Sequence, residues 1–360
     1  MNKIKLFDPI VTKQEEIQLL AALKSGHWAS GAGSGFVHKF EKQFQKFVGA
    51  KTCVAVNSGT AALHLALSEA DVCGNEVLLP SLTFVSTAHS VLYNNGKVKF
   101  VDVDPTTLCM DIDSVKKKIT KRTKVLLPVH FGGMPADLMS LKGVASQNNS
   151  ALIDDAAHAA GATINGKRIG SIGMMSCFSF HPVKNLAMPT GGLVAINQKD
   201  TQRIRKRLLS KRWCGITDRK DVNYDVKELG WNFYMNEFSA AIGLAQLSVL
   251  DKLNKKRLKV AKTLHRKLNV EEKMPLNEEC VYHFYWILVK NRKEFRKKLN
   301  KLGIETGIHY RPIHQMSLYR SNEKLPVTER VSQQIVTLPT HPNLTEENLN
   351  KIIESVNKFC

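Results

Sequence analysis

Two stretches decide the reading of this chain: Ala151-Leu152-Ile153-Asp154-Asp155-Ala156-Ala157-His158, and further along Ser176-Cys177-Phe178-Ser179-Phe180-His181-Pro182-Val183-Lys184-Asn185. Each opens as a short apolar run of strand length and closes on residues able to do chemistry. Working outward, similar runs recur at Cys53–Val56, Glu76–Leu79, Val98–Val101, Lys124–Val129 and Leu193–Ile196. Segments of helical period such as Ala61–Glu69 and Ala136–Ser146 lie between them. Strands alternating with helices predict an α/β fold whose mainly parallel, seven-stranded sheet is covered on both faces.

Beyond Gly230 the pattern changes. Asn236–Leu268 reads as one long helix, and Tyr282–Val289, Arg292–Leu302, Glu305–Tyr310 and a closing helix from Thr345 read as strand, helix, strand, helix. We therefore expect a large domain over 1–270, including the N-terminal segment and the connecting helix, and a smaller C-terminal α/β domain over 271–360. Asn269–Glu279, with Pro275 and several acids, is the expected boundary.

Composition excludes several classes. With 360 residues, 43% hydrophobic and 23% charged, the chain is neither disordered nor of low complexity. It lacks an apolar run long enough to span a bilayer. The opening MNKIKLFDPIV has no apolar leader core, so a cytoplasmic location is expected. The 7 cysteines are scattered and never form C-x-x-C, which excludes a disulfide framework or a zinc spacing. His309 and His314 stand apart from any third ligand, so no metal site is expected. The net charge of +20 admits nucleic acid or an anionic substrate as partner. Its dense runs, Arg203–Arg212, Lys252–Lys267 and Arg292–Lys301, carry apolar residues at helical spacing and read as solvated faces of amphipathic helices.

Three features stand at predicted strand ends, where ligands of open α/β sheets bind. Asn57-Ser58-Gly59-Thr60-Ala61-Ala62 follows a strand and opens a helix. It reads either as a backbone cup for an anion or as an ordinary Ser/Thr cap with a glycine turn. Of Asp154 and Asp155, one must face inward and needs a cationic or hydrogen-bonding partner. The alternative is a helix-capping acid. Lys184 follows an apolar strand and precedes Gly191-Gly192; in a partly desolvated site it becomes an amine nucleophile for Schiff-base chemistry. A phosphate cup, a carboxylate and an amine are the parts that pyridoxal 5'-phosphate (PLP) requires.

At these residues the chain resembles the DegT/DnrJ/EryC1/StrS family of PLP-dependent sugar aminotransferases, of the fold-type I, aspartate aminotransferase-like group. The ordered series runs from Gly26-His27-Trp28 through NSGTAALHLAL, PSLTFVSTA, KFVD, DDAAHAAGA, GSIG, SFHPVKN, GWNFYMNEFSAAIGLAQL and GIETGIHYRPIH to LPVTER. The resemblance implies that Lys184 forms the Schiff base and carries the proton at the substrate carbon. It further implies Asp155 at the pyridine nitrogen, His158 beside the ring, Phe84 stacked on its face, and Gly59, Thr60 and Ser179 at the phosphate. Asn232 would reach the phosphate of a neighbouring subunit, which implies a homodimer with shared active sites. Trp28, Ser30, His309, Tyr310 and His314 align with segments bordering the sugar site, and Arg311 is a candidate for holding a diphosphate.

The implied reaction moves an amino group from an amino acid, L-glutamate by family habit, to a nucleotide-diphosphate-linked keto sugar in amino-sugar and surface-glycan biosynthesis. Two departures touch the substrate side. Ala187-Met188-Pro189-Thr190 replaces the family's usual Gly- and Glu-bearing run, and Tyr234 stands where a basic residue is common. A dehydratase branch carries His at the lysine position, against which Lys184 argues. A PLP-fold regulator or nucleic-acid binder is suggested only by the charge.

Overall fold

The computed structural model describes residues 3–29 and 31–360. The chain builds β1 (Thr52–Val56), β2 (Glu76–Pro80), β3 (Lys97–Val101), β4 (Thr123–Leu126) and β5 (Ala151–Asp155). A short hairpin of β6 (Thr163–Ile164) and β7 (Lys167–Arg168) follows, then β8 (Met175–Ser179) and β9 (Gly192–Ile196). Apart from that hairpin these strands form one seven-stranded sheet in the order β1-β9-β8-β5-β4-β2-β3. All pairings from β8 to β3 are parallel, while β9 runs antiparallel to β8 and β1. All seven predicted strands are present. The fourth is shorter than expected: it stops at Leu126, because Pro128 cannot donate to a ladder.

Alternate residues of β1 enter different apolar clusters, Cys53 and Ala55 on one face, Val54 and Val56 on the other. That is the period-two signature of a sheet buried on both sides. The helices Gly59–Leu67 and Thr201–Lys211 help to cover the second face; Gly35–Val48 and Glu237–Lys267 help to cover the first. The register decides where the chemistry lies. Gly192 pairs with both Val56 and Ser179, and Asp155 pairs with Cys177. The loops leaving β1, β5 and β8 therefore open at one edge of the sheet.

An exposed hairpin, β10 (Ile216–Lys220) with β11 (Asn223–Val226), precedes the long helix Glu237–Lys267, which is capped by Asn236 at the Ser239 N–H (2.8 Å). After it, β12 (Tyr285–Leu288) pairs antiparallel with β13 (Ile335–Leu338). Here one expectation is corrected. Glu305–Tyr310 is not a strand and makes only an isolated bridge, Gly307 to Thr337; the partner of β12 comes instead from Ile335–Leu338. Residue 270 falls just past the long helix, and one apolar cluster continues across it, joining Leu250 and Leu264 to Tyr285, Ile335 and Ile352.

The basic runs also differ from expectation in part. Arg203 and Lys206 lie on a solvated face, but Lys211 and Arg212 at the end of that helix are buried against carboxylates, and Arg257 in the second run is buried as well. All seven cysteines are free. No helix of the described residues is long and apolar enough to cross a membrane.

Candidate active site

The two consecutive acids of β5 point to opposite faces of the sheet, as period two demands. Asp154 is wholly buried, accepting from Ser176 Oγ (2.9 Å) and lying 3.2 Å from His130 Nε2. His130 Nδ1 accepts the Ala136 N–H (2.9 Å), so the ring proton sits on Nε2 and is donated to Asp154. That acid is structural. Asp155 faces a cavity of about 340 Å³. Its carboxylate accepts from Thr87 Oγ1 (2.8 Å) and the Ala157 N–H (3.1 Å). Burial nevertheless pushes its carboxyl above the ordinary carboxylate range, against the pull of those bonds and of Lys184.

Lys184 lines the same cavity. Its backbone N–H closes a turn onto the His181 carbonyl (2.8 Å), in the loop from β8 to β9. Its Nζ has no hydrogen-bond acceptor among the described residues. Burial lowers its pKa from 10.5 to about 8, and the Asp155 charge only partly offsets this. An amine with a substantial uncharged fraction near neutrality is a usable nucleophile and proton carrier.

At the third corner, Ser58 caps the helix Gly59–Leu67 by accepting the Ala61 N–H (3.1 Å). The Gly59 and Thr60 N–H groups have no acceptor within their helix. Thr60 Oγ1 donates to Ser86 Oγ (2.8 Å), and Ser179 closes the side. The glycine is a steric requirement, since a Cβ on Gly59 would lie 2.7 Å from Ser179 Cβ. A cradle of small residues, first-turn N–H groups and hydroxyls at a helix start is an anion site.

The remaining wall is aromatic. His158 Nδ1 accepts the Gly132 N–H (3.3 Å), so its proton lies on Nε2 and is donated to Tyr310 Oη (3.2 Å). Burial, followed by the nearby cations, holds the His158 pKa well below its ordinary value. The His309 pKa drops to about 3, first by burial and then by Lys184; its Nδ1 lies 2.8 Å from Thr337 Oγ1. Burial also raises the Tyr310 phenol, which therefore stays protonated.

Of the residues singled out from sequence, Gly59, Thr60, Phe84, Asp155, His158, Ser179, Lys184, His309 and Tyr310 line this one cavity. Phe84 is 57% exposed and forms its rim. The others stand apart. Trp28 packs near Phe238 with Nε1 donating to the Leu23 carbonyl (3.1 Å). His314 is buried, 2.7 Å from Ser81 Oγ, and joins its loop to the end of β2. Asn232 is exposed, and its carbonyl accepts from Asn57 Nδ2 (3.2 Å). Arg311 donates to the Gln315 carbonyl (3.0 Å). Ser30 lies outside the described residues.

Sequence reading missed Ser86 and Thr87, whose signal was two hydroxyl residues opening a helix just after Phe84. A larger groove of about 890 Å³ lies elsewhere, but its Asp104, Asp111 and Asp137 carboxylates are occupied by backbone N–H groups. Among the described residues no group of three or more His, Cys, Asp or Glu is placed to hold a metal ion.

A mainly parallel sheet with amine, carboxylate and anion cup at one mouth defines the aminotransferase class of α/β enzymes. The sequence model of the DegT/DnrJ/EryC1/StrS aminotransferase family matches residues 9–357, and the chain belongs to that family and is an aminotransferase. It is 31% identical over 367 residues to GDP-perosamine synthase of Escherichia coli O157:H7, covering 100% of this chain and 99% of that protein. Among solved structures it is similar to Helicobacter pylori PseC, an aminotransferase of pseudoaminic acid biosynthesis (26% identity, TM-score 0.93, 99% of each chain). It is also similar to the PLP-form of the putative sugar aminotransferase Spr1654 from Streptococcus pneumoniae (25% identity, TM-score 0.93, 99% of this chain and 98% of that one). Family and neighbours together imply dependence on pyridoxal phosphate.

Proposed function

We propose that this protein transfers an amino group from an amino acid, L-glutamate in the first instance, to a keto sugar carried on a nucleoside diphosphate. The observation that carries the reading is the pairing of Lys184 with Asp155 at one cavity mouth, with burial disfavouring the charged form of each. The cavity fits the cofactor on its own terms: the Gly59 cradle has no room for a side chain, and Asp155 is a buried carboxyl with no cation in hydrogen-bonding contact among the described residues. Pyridoxal phosphate, when bound, supplies an electron-accepting ring that holds the amino group between the two substrates.

Gly59, Thr60, Ser86 and Ser179 would hold its phosphate. Asp155 would accept a hydrogen bond from the N–H of the pyridine nitrogen and keep that nitrogen protonated, and the cation would in turn favour the Asp155 carboxylate. Phe84 would cover one face of the ring, with His158 beside it. Lys184 Nζ acts first as nucleophile and then as the base and acid that moves one proton at the substrate carbon. Its lowered pKa suits both roles near neutral pH.

The enzyme would work as a homodimer. Asn232 is exposed without a side-chain hydrogen bond among the described residues, and the neighbouring hairpin and loop expose Val222 (85%) and Leu229 (86%). Such apolar exposure fits a surface covered by a second copy. The likeness to a GDP-perosamine synthase and to an aminotransferase involved in the biosynthesis of pseudoaminic acid supports a nucleotide-linked sugar and a role in amino-sugar biosynthesis.

The test is the absorbance of the purified protein before and after L-glutamate, alongside Lys184→Ala. Loss of the long-wavelength band in the wild type, and its absence in the variant, is expected. The glutamate-treated enzyme should then regain the band with one member of a panel of keto-sugar nucleotides. A wild-type protein that binds cofactor yet responds to no amino donor overturns the reading.

A further inference from the structure

The residue after the lysine turns away from the cavity. Asn185 is buried, and its Nδ2 donates to Asn254 Oδ1 (2.9 Å) and to the Val281 carbonyl (2.9 Å). A carbonyl can only accept, so the orientation of the amide is fixed. Asn254, on the long helix, is oriented in the same way, with its Nδ2 donating to the Ala160 carbonyl (3.0 Å). The free Oδ1 of Asn185 lies 3.3 Å from His283 Nδ1, which must therefore carry that ring's proton.

His283 reaches His158 by two routes. Their rings stack with centroids 4.4 Å apart at 28°, and Phe7 covers the opposite face of His283 at 5.1 Å. The His283 backbone N–H donates to the Gly132 carbonyl (2.8 Å), and the Gly132 N–H donates to His158 Nδ1 (3.3 Å). Gly132 has φ 64, in the left-handed region, and a Cβ there would lie 2.8 Å from the Phe284 ring. The ionisable groups facing His283 are His158 after β5, Lys184 after β8, Arg257 on the long helix and His309; every one opposes a charge on it, as does burial.

We infer that Asn185 and His283 are positioning residues for the amino transfer, two oriented side chains that fix the Lys184 turn and the His158 ring relative to one another. This rests on the reading of Lys184 as the group that carries the transfer. With His158 held as donor to Tyr310, the phenol oxygen has its acceptor role filled, and its own proton is left for the cavity.

Two variants and one spectrum test the inference. His283→Phe keeps a ring against His158 and deletes only the donor to Asn185. The expected result is a fall in kcat of about tenfold to a hundredfold with KM for both substrates little changed, the size of effect that slight misplacement of a reacting group produces. Asn185→Asp puts a carboxylate against His283 Nδ1, which favours the charged ring. The pH profile of kcat should gain an ionisation absent from the wild type that vanishes in the N185D/H283F double variant. Wild-type rate and profile in both single variants, or an added ionisation that survives in the double variant, would reduce the pair to packing.

Independently of turnover, ¹⁵N imidazole spectra of the wild-type protein, assigned with His283→Phe and His158→Gln, should show Nδ1–H for His283 and Nε2–H for His158. The reverse tautomer at His283 overturns the inference even if a variant fails to fold. If the wild type exchanges with no amino donor, the proposed function fails, and the spectrum still decides the Asn185–His283 arrangement by itself.

Discussion

Two cations of this chain, the buried Arg212 and the half-buried Lys184, are treated in opposite ways. Arg212, fully buried, donates to Glu41 Oε1 (2.7 Å) and to the Ala55 (2.7 Å), Ala32 (3.1 Å) and Gly31 (3.3 Å) carbonyls. Lys184 has no acceptor among the described residues, and its pKa falls to about 8. The guanidinium ties the Gly31–Ala32 turn to β1 and the helix Gly35–Val48; its planar fork spends four of its five N–H donors there. The amine is left unsatisfied so that its proton can leave. At Arg212 the hydrogen-bonded charge is architecture, whereas at Lys184 the amine, facing the cavity, is held ready for reaction.

The contrast can be broken by exchange of consequences. Lys184→Ala should cut turnover by on the order of 10⁴-fold, as expected when a nucleophile and proton carrier is removed, while the far-ultraviolet dichroism stays that of the wild type. Arg212→Ala should do the reverse. It leaves the buried Glu41 with only Arg205 (3.4 Å) and the Ala55 N–H (2.9 Å) and costs about 3 kcal/mol, read as a large drop in denaturation midpoint, with residual folded enzyme still able to take an amino group from glutamate. If Arg212→Ala proves as stable as wild type, the architectural role is wrong.

The amine side can be sharpened by pH. In the cofactor-free protein, reaction of Lys184 with an amine-selective reagent should show a midpoint near pH 8. Between that pH and its ordinary 10.5 the unfolded chain binds the extra proton, so stability of the cofactor-free protein should rise as pH climbs from 8 to 10.5; below 8 the full penalty is present. Lys184→Met removes the penalty. It should melt a few °C higher than wild type at pH 7, with the gap closing toward pH 10. The smallest effect belongs to a solvated pair: Arg330→Ala, which loses Glu272 at 2.8 Å on the surface, should cost no more than about 1 kcal/mol and leave kcat unchanged.

Sequence made the large sheet legible because each strand is a short apolar run between helical segments; the strand registers come from the structure alone. Asp155, Lys184 and the Ser58–Thr60 turn were legible because they sit at strand ends. Two things were not. The pairing of β12 with Ile335–Leu338 joins runs far apart in sequence, and the second run follows a helix with no Gly or Pro to mark its start. Arg212 was unreadable because it ends a run, RIRKRLLSKR, in which Arg203 and Lys206 are solvated, Arg205 and Arg207 half-buried and Lys211 buried, and only tertiary placement sorts these cations from one another. Likewise His314 sits in the same short motif as His309 and Tyr310, yet its ring turns to Ser81, away from the cavity.

The neighbouring acids of β5 give the sheet a means of proof-reading its own assembly. Ile153, Asp154 and Asp155 pair with Met175, Ser176 and Cys177. A slip of one residue would turn Asp154 out toward the cavity, carry Asp155 into the place where His130 and Ser176 wait, and invert every apolar neighbour along the strand. A wrongly threaded molecule would thus be unstable and inactive for the same reason, and the cell would meet it as misfolded protein rather than as an enzyme with altered chemistry.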